Sequence, residues 1–114
     1  MATRLSQVIL RDDERVVRDQ EARLLQGKER WRGRLYLTNK RLIFERKRGT
    51  LFTKFEIAMD ARLDDLIYVK ITGILRKRLL VGVRRGAWVD VVHLRVDDSE
   101  VWAAEVASLI KNSE

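Results

Sequence analysis

Apolar residues return at every second position through most of this chain, the spacing of strands with one face turned inward. From Ala22 onward, Ala22 and Leu24 share one side and Arg23 and Leu25 the other, and Gly27 with the polar residues 28–32 closes the run as a loop. Leu35 and Leu37 mark a second strand, and Leu42 and Phe44 a third. Asn39-Lys40 between them fits a tight hairpin, because asparagine tolerates left-handed backbone angles. Phe55, Ile57 and Met59 alternate with Lys54, Glu56 and Ala58 as a fourth strand, which breaks into a connector over residues 60–65. Ile67, Val69 and Ile71 form one face of a fifth strand over residues 66–72, and Leu79, Val81 and Val83 one face of a sixth, with residues 73–78 linking them. Arg85-Gly86 turns the chain into a seventh run, residues 88–96, where Asp90 falls on the face of Trp88 and Val92. A bulge there, or an open rim, would accommodate it.

The period then changes. Trp102, Val106, Leu109 and Ile110 follow i, i+4, i+7, i+8, one stripe of an amphipathic helix, and Asp97 with Glu100 three residues later has the spacing of a capping box. Residues 1–18 read as a lead-in, where Leu5, Val8 and Ile9 have the spacing of one helical turn before the charged residues 11–15. Seven short strands and one terminal helix predict a mainly β fold: a strongly bent antiparallel sheet, or partly open barrel, plugged by the helix.

At 114 residues the chain has the size of one domain, and neither a linker nor an internal repeat divides residues 1–114. Charge changes the picture more than size does. With 24 Lys+Arg against 17 Asp+Glu the formal net charge is +7, which favours anionic partners such as acidic lipid or nucleic acid. The absence of cysteine removes disulfides, thiolate nucleophiles and cysteine metal sites, so a reducing compartment is acceptable. No apolar run approaches a membrane span and the first ten residues lack a signal-peptide stretch, so a cytoplasmic protein is the expectation.

Catalytic chemistry finds little to work with. His93 is the single histidine, set in a valine-rich strand without partners for a triad or a metal cluster. Asp64 and Asp65 are adjacent, so they point apart on an extended segment and make no acid/base pair. The expectation is a protein that is not an enzyme, with no cofactor and no metal site.

Gly33-Arg34-Leu35-Tyr36-Leu37-Thr38-Asn39-Lys40-Arg41-Leu42-Ile43-Phe44 resembles, as a string, the signature hairpin of GRAM domains and their bacterial and archaeal pleckstrin-homology (PH)-like relatives, G-x-L-x-L-T-x-x-R-L-I-F. Weaker similarity extends to residues 14–17, to residues 55–59 and to the Trp-bearing helix. GLUE domains, PH-like as well, carry a similar T-x-x-R-L-I turn. The resemblance implies a seven-stranded bent sheet capped by a C-terminal helix and used for lipid or protein binding. Thr38 and Arg41 themselves read as structural, with the Arg41 guanidinium near enough to the turn to bond carbonyls or a carboxylate.

In a simple meander, loops after odd-numbered strands gather at one end, which unites Lys28, Arg30 and Arg32 with Arg46, Lys47 and Arg48 and with Arg76, Lys77 and Arg78. The bending implied by the resemblance instead adds Arg84 and Arg85 to the first two clusters and leaves open which end carries Arg76, Lys77 and Arg78. Lipid phosphates would then meet Lys28, Arg30, Arg32, Arg46, Lys47, Arg48, Arg84 and Arg85. Trp31, at a basic loop tip, would either insert at headgroup depth or fold back on the barrel wall beneath an arginine. The leading expectation is a binding module recruited peripherally to the anionic inner membrane surface. Its rival is an adaptor holding a peptide, a ubiquitin-like protein or a copy of itself. Nucleic acid is third, because only Trp31 interleaves with the basic loops. A plain solvated surface of ion-pair networks would explain the same charges.

Overall fold

The computed structural model describes residues 7–49 and 54–112. Seven strands occur in chain order: β1 (Val16–Gln26), β2 (Glu29–Thr38), β3 (Arg41–Arg48), β4 (Lys54–Arg62), β5 (Leu66–Thr72), β6 (Arg78–Arg85) and β7 (Trp88–Arg95). A short 3-10 helix, Leu63–Asp65, joins β4 to β5, and α1 (Ser99–Asn112) ends the described chain. All pairs are antiparallel in the order β4-β3-β2-β1-β7-β6-β5. The last strand therefore lies beside the first, and the sheet stays open between β4 and β5.

One face of this sheet curls around the core. Leu24, Leu35, Leu37, Leu42, Phe44, Leu79, Val81, Val83 and Leu94 are buried there, each at the position its alternation predicts. The helix closes the core with Trp102 and Val106 fully buried, and the Trp102 indole N–H donates to Gln20 Oε1 of β1 at 2.7 Å. Arg18 of β1 reaches the helix through Glu105 at 2.6 Å.

Several expectations need correction. The first strand begins at Val16, inside the segment read as lead-in, and of the one-turn helix Val8 and Ile9 are not helical while Leu5 lies outside the described residues. The β1–β2 turn is only Gly27-Lys28, so Arg30, Trp31 and Arg32 are strand residues and not loop residues. In β4 the pairing shifts between Phe44–Met59 and Glu45–Ile57, which makes Ala58 a bulge. Met59 and Ala61 consequently face the core, while Phe55 and Ile57 turn to the outer face. A second shift, between Leu66–Val83 and Tyr68–Gly82, leaves Ile67 as the bulged residue, exposed, with Val69 and Ile71 on the core. β7 keeps its register, so Asp90 sits on an open rim, 3.7 Å from Arg85. At the helix start the Asp98 carbonyl accepts the Trp102 N–H, which puts Asp98 at the cap position, and Glu100 turns to Lys77 and forms no capping box with Asp97.

The hairpin between β2 and β3 is tight, but not through a left-handed asparagine: among the described residues only glycines have positive φ. Side chains hold it. Thr38 Oγ1 accepts the N–H groups of Lys40 and Arg41 at 3.1 and 2.9 Å, and Asn39 Oδ1 accepts Arg15 N–H at 2.8 Å. Arg41 spreads its guanidinium over Glu14 (2.8 and 2.9 Å) and Asp60 (2.8 Å), and Thr38 donates to Glu14 at 2.6 Å. The Arg41 guanidinium holds the buried Glu14 carboxyl down at about 2, against burial, which pushes the other way. Thr38 and Arg41 are thus occupied in pinning the lead-in to the hairpin.

Candidate functional site: a basic strip across the outer face

Strand direction decides which loops meet. Because β7 pairs with β1, strands β1, β3 and β6 run the same way, so the β1–β2, β3–β4 and β6–β7 connections leave the sheet on one side. The β5–β6 link leaves on the other, where Lys77 is bonded to Glu100 of α1. The simple meander rule is therefore overturned by the β1–β7 pairing.

The basic side chains nevertheless meet by another route. Arg23, between the buried Ala22 and Leu24, points away from the core, and it stands opposite Arg32 on one flank and Arg95 on the other. Arg78 and Arg95 follow directly on the Leu79–Leu94 pair, and Arg32 and Lys47 lie one step beyond Gly33–Arg46. Cross-strand partners share a face. Arg78, Arg95, Arg23, Arg32 and Lys47 consequently form a row over five adjacent strands, about 19 Å long at the usual strand spacing. Arg30 lies on the same face opposite Leu25, and Leu25 is opposite His93.

The charges crowd most closely around Arg95. Burial first, and then the charges of Arg30, Arg76, Arg78 and Arg23, lower the Arg95 guanidinium from its ordinary pKa. Its Nε is buried without a hydrogen-bond partner among the described residues. A hollow of about 710 Å³ opens along the strip, lined by Arg23, Arg32, Arg34, Lys47, Arg95 and Phe55, with Glu21 and Asp97 as its carboxylates.

Ion pairing separates the expected site residues into two groups. Arg46 and Arg48 both hold Glu56, at 3.1 and 3.2 Å, and Arg85 faces Asp90. Lys28, Arg30, Arg32, Lys47 and Arg84 have no carboxylate within ion-pair distance among the described residues, nor have Arg23, Arg76, Arg78 and Arg95. Arg84 is six residues along β6 from Arg78, about 20 Å away, so it does not join the row. Trp31 takes the folded-back arrangement: it packs on the core, its ring lies 3.9 Å below the Arg46 guanidinium, and its N–H donates to Glu29.

Reading loops alone misses Arg23 and Arg95. The two-residue turn at Gly27-Lys28 carries the signal for the first, since it sets Arg23 opposite Arg32. Arg95 depends on the non-local β1–β7 register and leaves no such trace.

No family model matches the chain, and no curated protein matches it in sequence. Solved structures do. The DH/PH domains of p115-RhoGEF superpose with a TM-score of 0.67 at 10% identity, covering 84% of this chain and 30% of that one. The fold is PH-like. The C-terminal domain of an unknown protein from Leishmania infantum gives 0.64 at 14% identity, covering 85% of each chain. A complex of PDZ-RhoGEF DH/PH domains with GTP-gamma-S activated RhoA gives 0.64 at 9% identity, covering 89% of this chain and 31% of that one. This PH-like chain therefore spans about a third of the RhoGEF chains it matches, and the likeness concerns the fold.

Proposed function

We propose that this PH-like chain is a non-catalytic binding module, of the GRAM type its hairpin resembles, that attaches peripherally to anionic membrane surfaces through the basic strip. The observation that carries the reading is the segregation of charge. Arg34, Arg41, Arg46 and Arg48 are neutralised by carboxylates of the fold, whereas Arg23, Arg30, Arg32, Arg76, Arg78, Arg95 and Lys47 are left facing one another. Crowded like charges cost folding stability. Ligand phosphates would relieve that cost, bonding guanidinium forks in two-point fashion.

Four or five of these cations at ~1 kcal/mol each give roughly 4–5 kcal/mol, dissociation constants from about millimolar to a few hundred micromolar. The attachment is weak and salt-sensitive. No helix among the described residues is long and apolar enough to cross a membrane.

The reading is tested by pelleting the protein with acidic and with neutral vesicles at low and at physiological salt, alongside single-stranded and duplex oligonucleotides. Binding to acidic vesicles that fades with salt supports it. A preference for oligonucleotides over vesicles refutes it. The rival adaptor reading draws support from a neighbour solved in complex with RhoA, and predicts a protein pull-down indifferent to lipid and salt.

A further inference from the structure

The strip has an apolar companion at one end. Ile74 and Leu75 are 90% and 96% exposed, the most exposed large apolar residues among the described residues. They form the tip of the β5–β6 link. Gly73 precedes them with φ +93, and a Cβ there would lie 2.7 Å from the Arg76 carbonyl, so the chain doubles back tightly at a position that favours glycine. The base of the link is tied to α1 by Lys77 and Glu100. Arg76 and Arg78 follow, and their charges are felt at Arg95.

Resting on the proposed membrane reading, we propose that the β5–β6 link is an insertion tip: Ile74 and Leu75 enter an anionic bilayer while Arg76, Arg78 and Arg95 behind them hold its phosphates. Single exposed aliphatics are ordinary on protein surfaces. Two adjacent ones at a protruding turn, backed by unneutralised arginines, match a boundary where hydrocarbon lies just below a layer of anions. The pair is too small for a protein partner, since stable protein interfaces bury above about 1,000 Å². Nucleic acid offers phosphates, but no aromatic side chain stands at this tip for its bases to stack on. Trp88, 68% exposed at the β6–β7 turn, is the competing apolar contact, but it sits on the opposite side of the sheet from the link and beside the Arg85–Asp90 pair.

Burial of an aliphatic side chain is worth a factor of about ten or more in affinity, so partial burial of this pair contributes at least about tenfold. The chain has no cysteine, which allows a single environment-sensitive dye at Leu75→Cys. On addition of phosphatidylserine-containing vesicles the dye emission should shift to the blue. The Ile74→Ser/Leu75→Ser protein should bind those vesicles at least about tenfold more weakly. Trp88→Ser should bind like wild type.

If wild type pellets with acidic vesicles while the dye stays in water, or Trp88→Ser loses binding and the tip variant keeps it, insertion by this link is overturned and the membrane reading survives. If wild type pellets with no vesicle, or binds an oligonucleotide instead, both are overturned.

Discussion

Replacing Arg41 by alanine removes the group that neutralises Glu14, whose side chain is fully buried while that of Arg41 is 13% exposed. Among the described residues the carboxylate would keep only Thr38 Oγ1 at 2.6 Å and the Arg11 N–H at 3.1 Å. Breaking a buried pair from one side typically costs 3–5 kcal/mol. Asp60, already 43% exposed, loses little, so about 3 kcal/mol is the expected cost. For 114 residues that is a fall of roughly 12 °C in Tm. Circular-dichroism melts at neutral pH read it directly.

Acid should erase the same contribution. With Glu14 near 2 in the folded state and at its ordinary 4.5 when unfolded, its stabilisation is complete above about 4.5 and disappears as pH falls toward 2. Glu14→Gln should therefore lose less stability than wild type between pH ~5 and ~2. An Arg41→Ala melt within about 2 °C of wild type, or identical acid profiles for wild type and Glu14→Gln, would refute the claim that this pair pins the lead-in to the hairpin.

Other consequences are checked as readily. Gly33→Ala would place a Cβ 2.0 Å from the Glu45 carbonyl oxygen, so β3 must shift, and thermal melts should show a Tm at least about 10 °C lower or no cooperative transition. In a Trp88→Phe background, Arg46→Ala should uncover Trp31 and raise iodide quenching, with vesicle affinity unchanged, because Arg46 and Trp31 are engaged with each other and with carboxylates. Arg95→Gln should raise Tm at low salt, by an amount that shrinks as salt is added, since it relieves crowding by four other arginines.

The core was readable where alternation ran uninterrupted. Leu35, Leu37, Leu42 and Phe44 of the hairpin, the β6 valines and the Trp102 stripe all face inward as their spacing requires. It failed at Ala58 and Ile67, because one bulged residue inverts every face beyond it and nothing in a period-two pattern marks where the bulge falls. The site was harder to read for a related reason. Whether a cation is spent on an ion pair depends on what the fold brings beside it: Glu56 takes Arg46 and Arg48, and no carboxylate among the described residues takes Arg32. Lys28, Arg30, Arg32 and Lys47 were visible as a basic group, but the sheet gathers Arg30, Arg32 and Lys47 with strand residues that local reading treats as a solvated face.

Under the proposed function the unneutralised row, and not the ion-paired or distant arginines, meets phosphate. It is tested most directly by vesicle affinities of Arg23→Gln/Arg95→Gln and Arg84→Gln/Arg85→Gln, two variants of equal net charge, at about 0.15 M salt, where charges beyond ~8 Å are screened. Two contacts at ~1 kcal/mol each predict a loss of about thirtyfold for the first pair and less than about threefold for the second. Equal losses, or a larger loss for the second pair, would contradict the account.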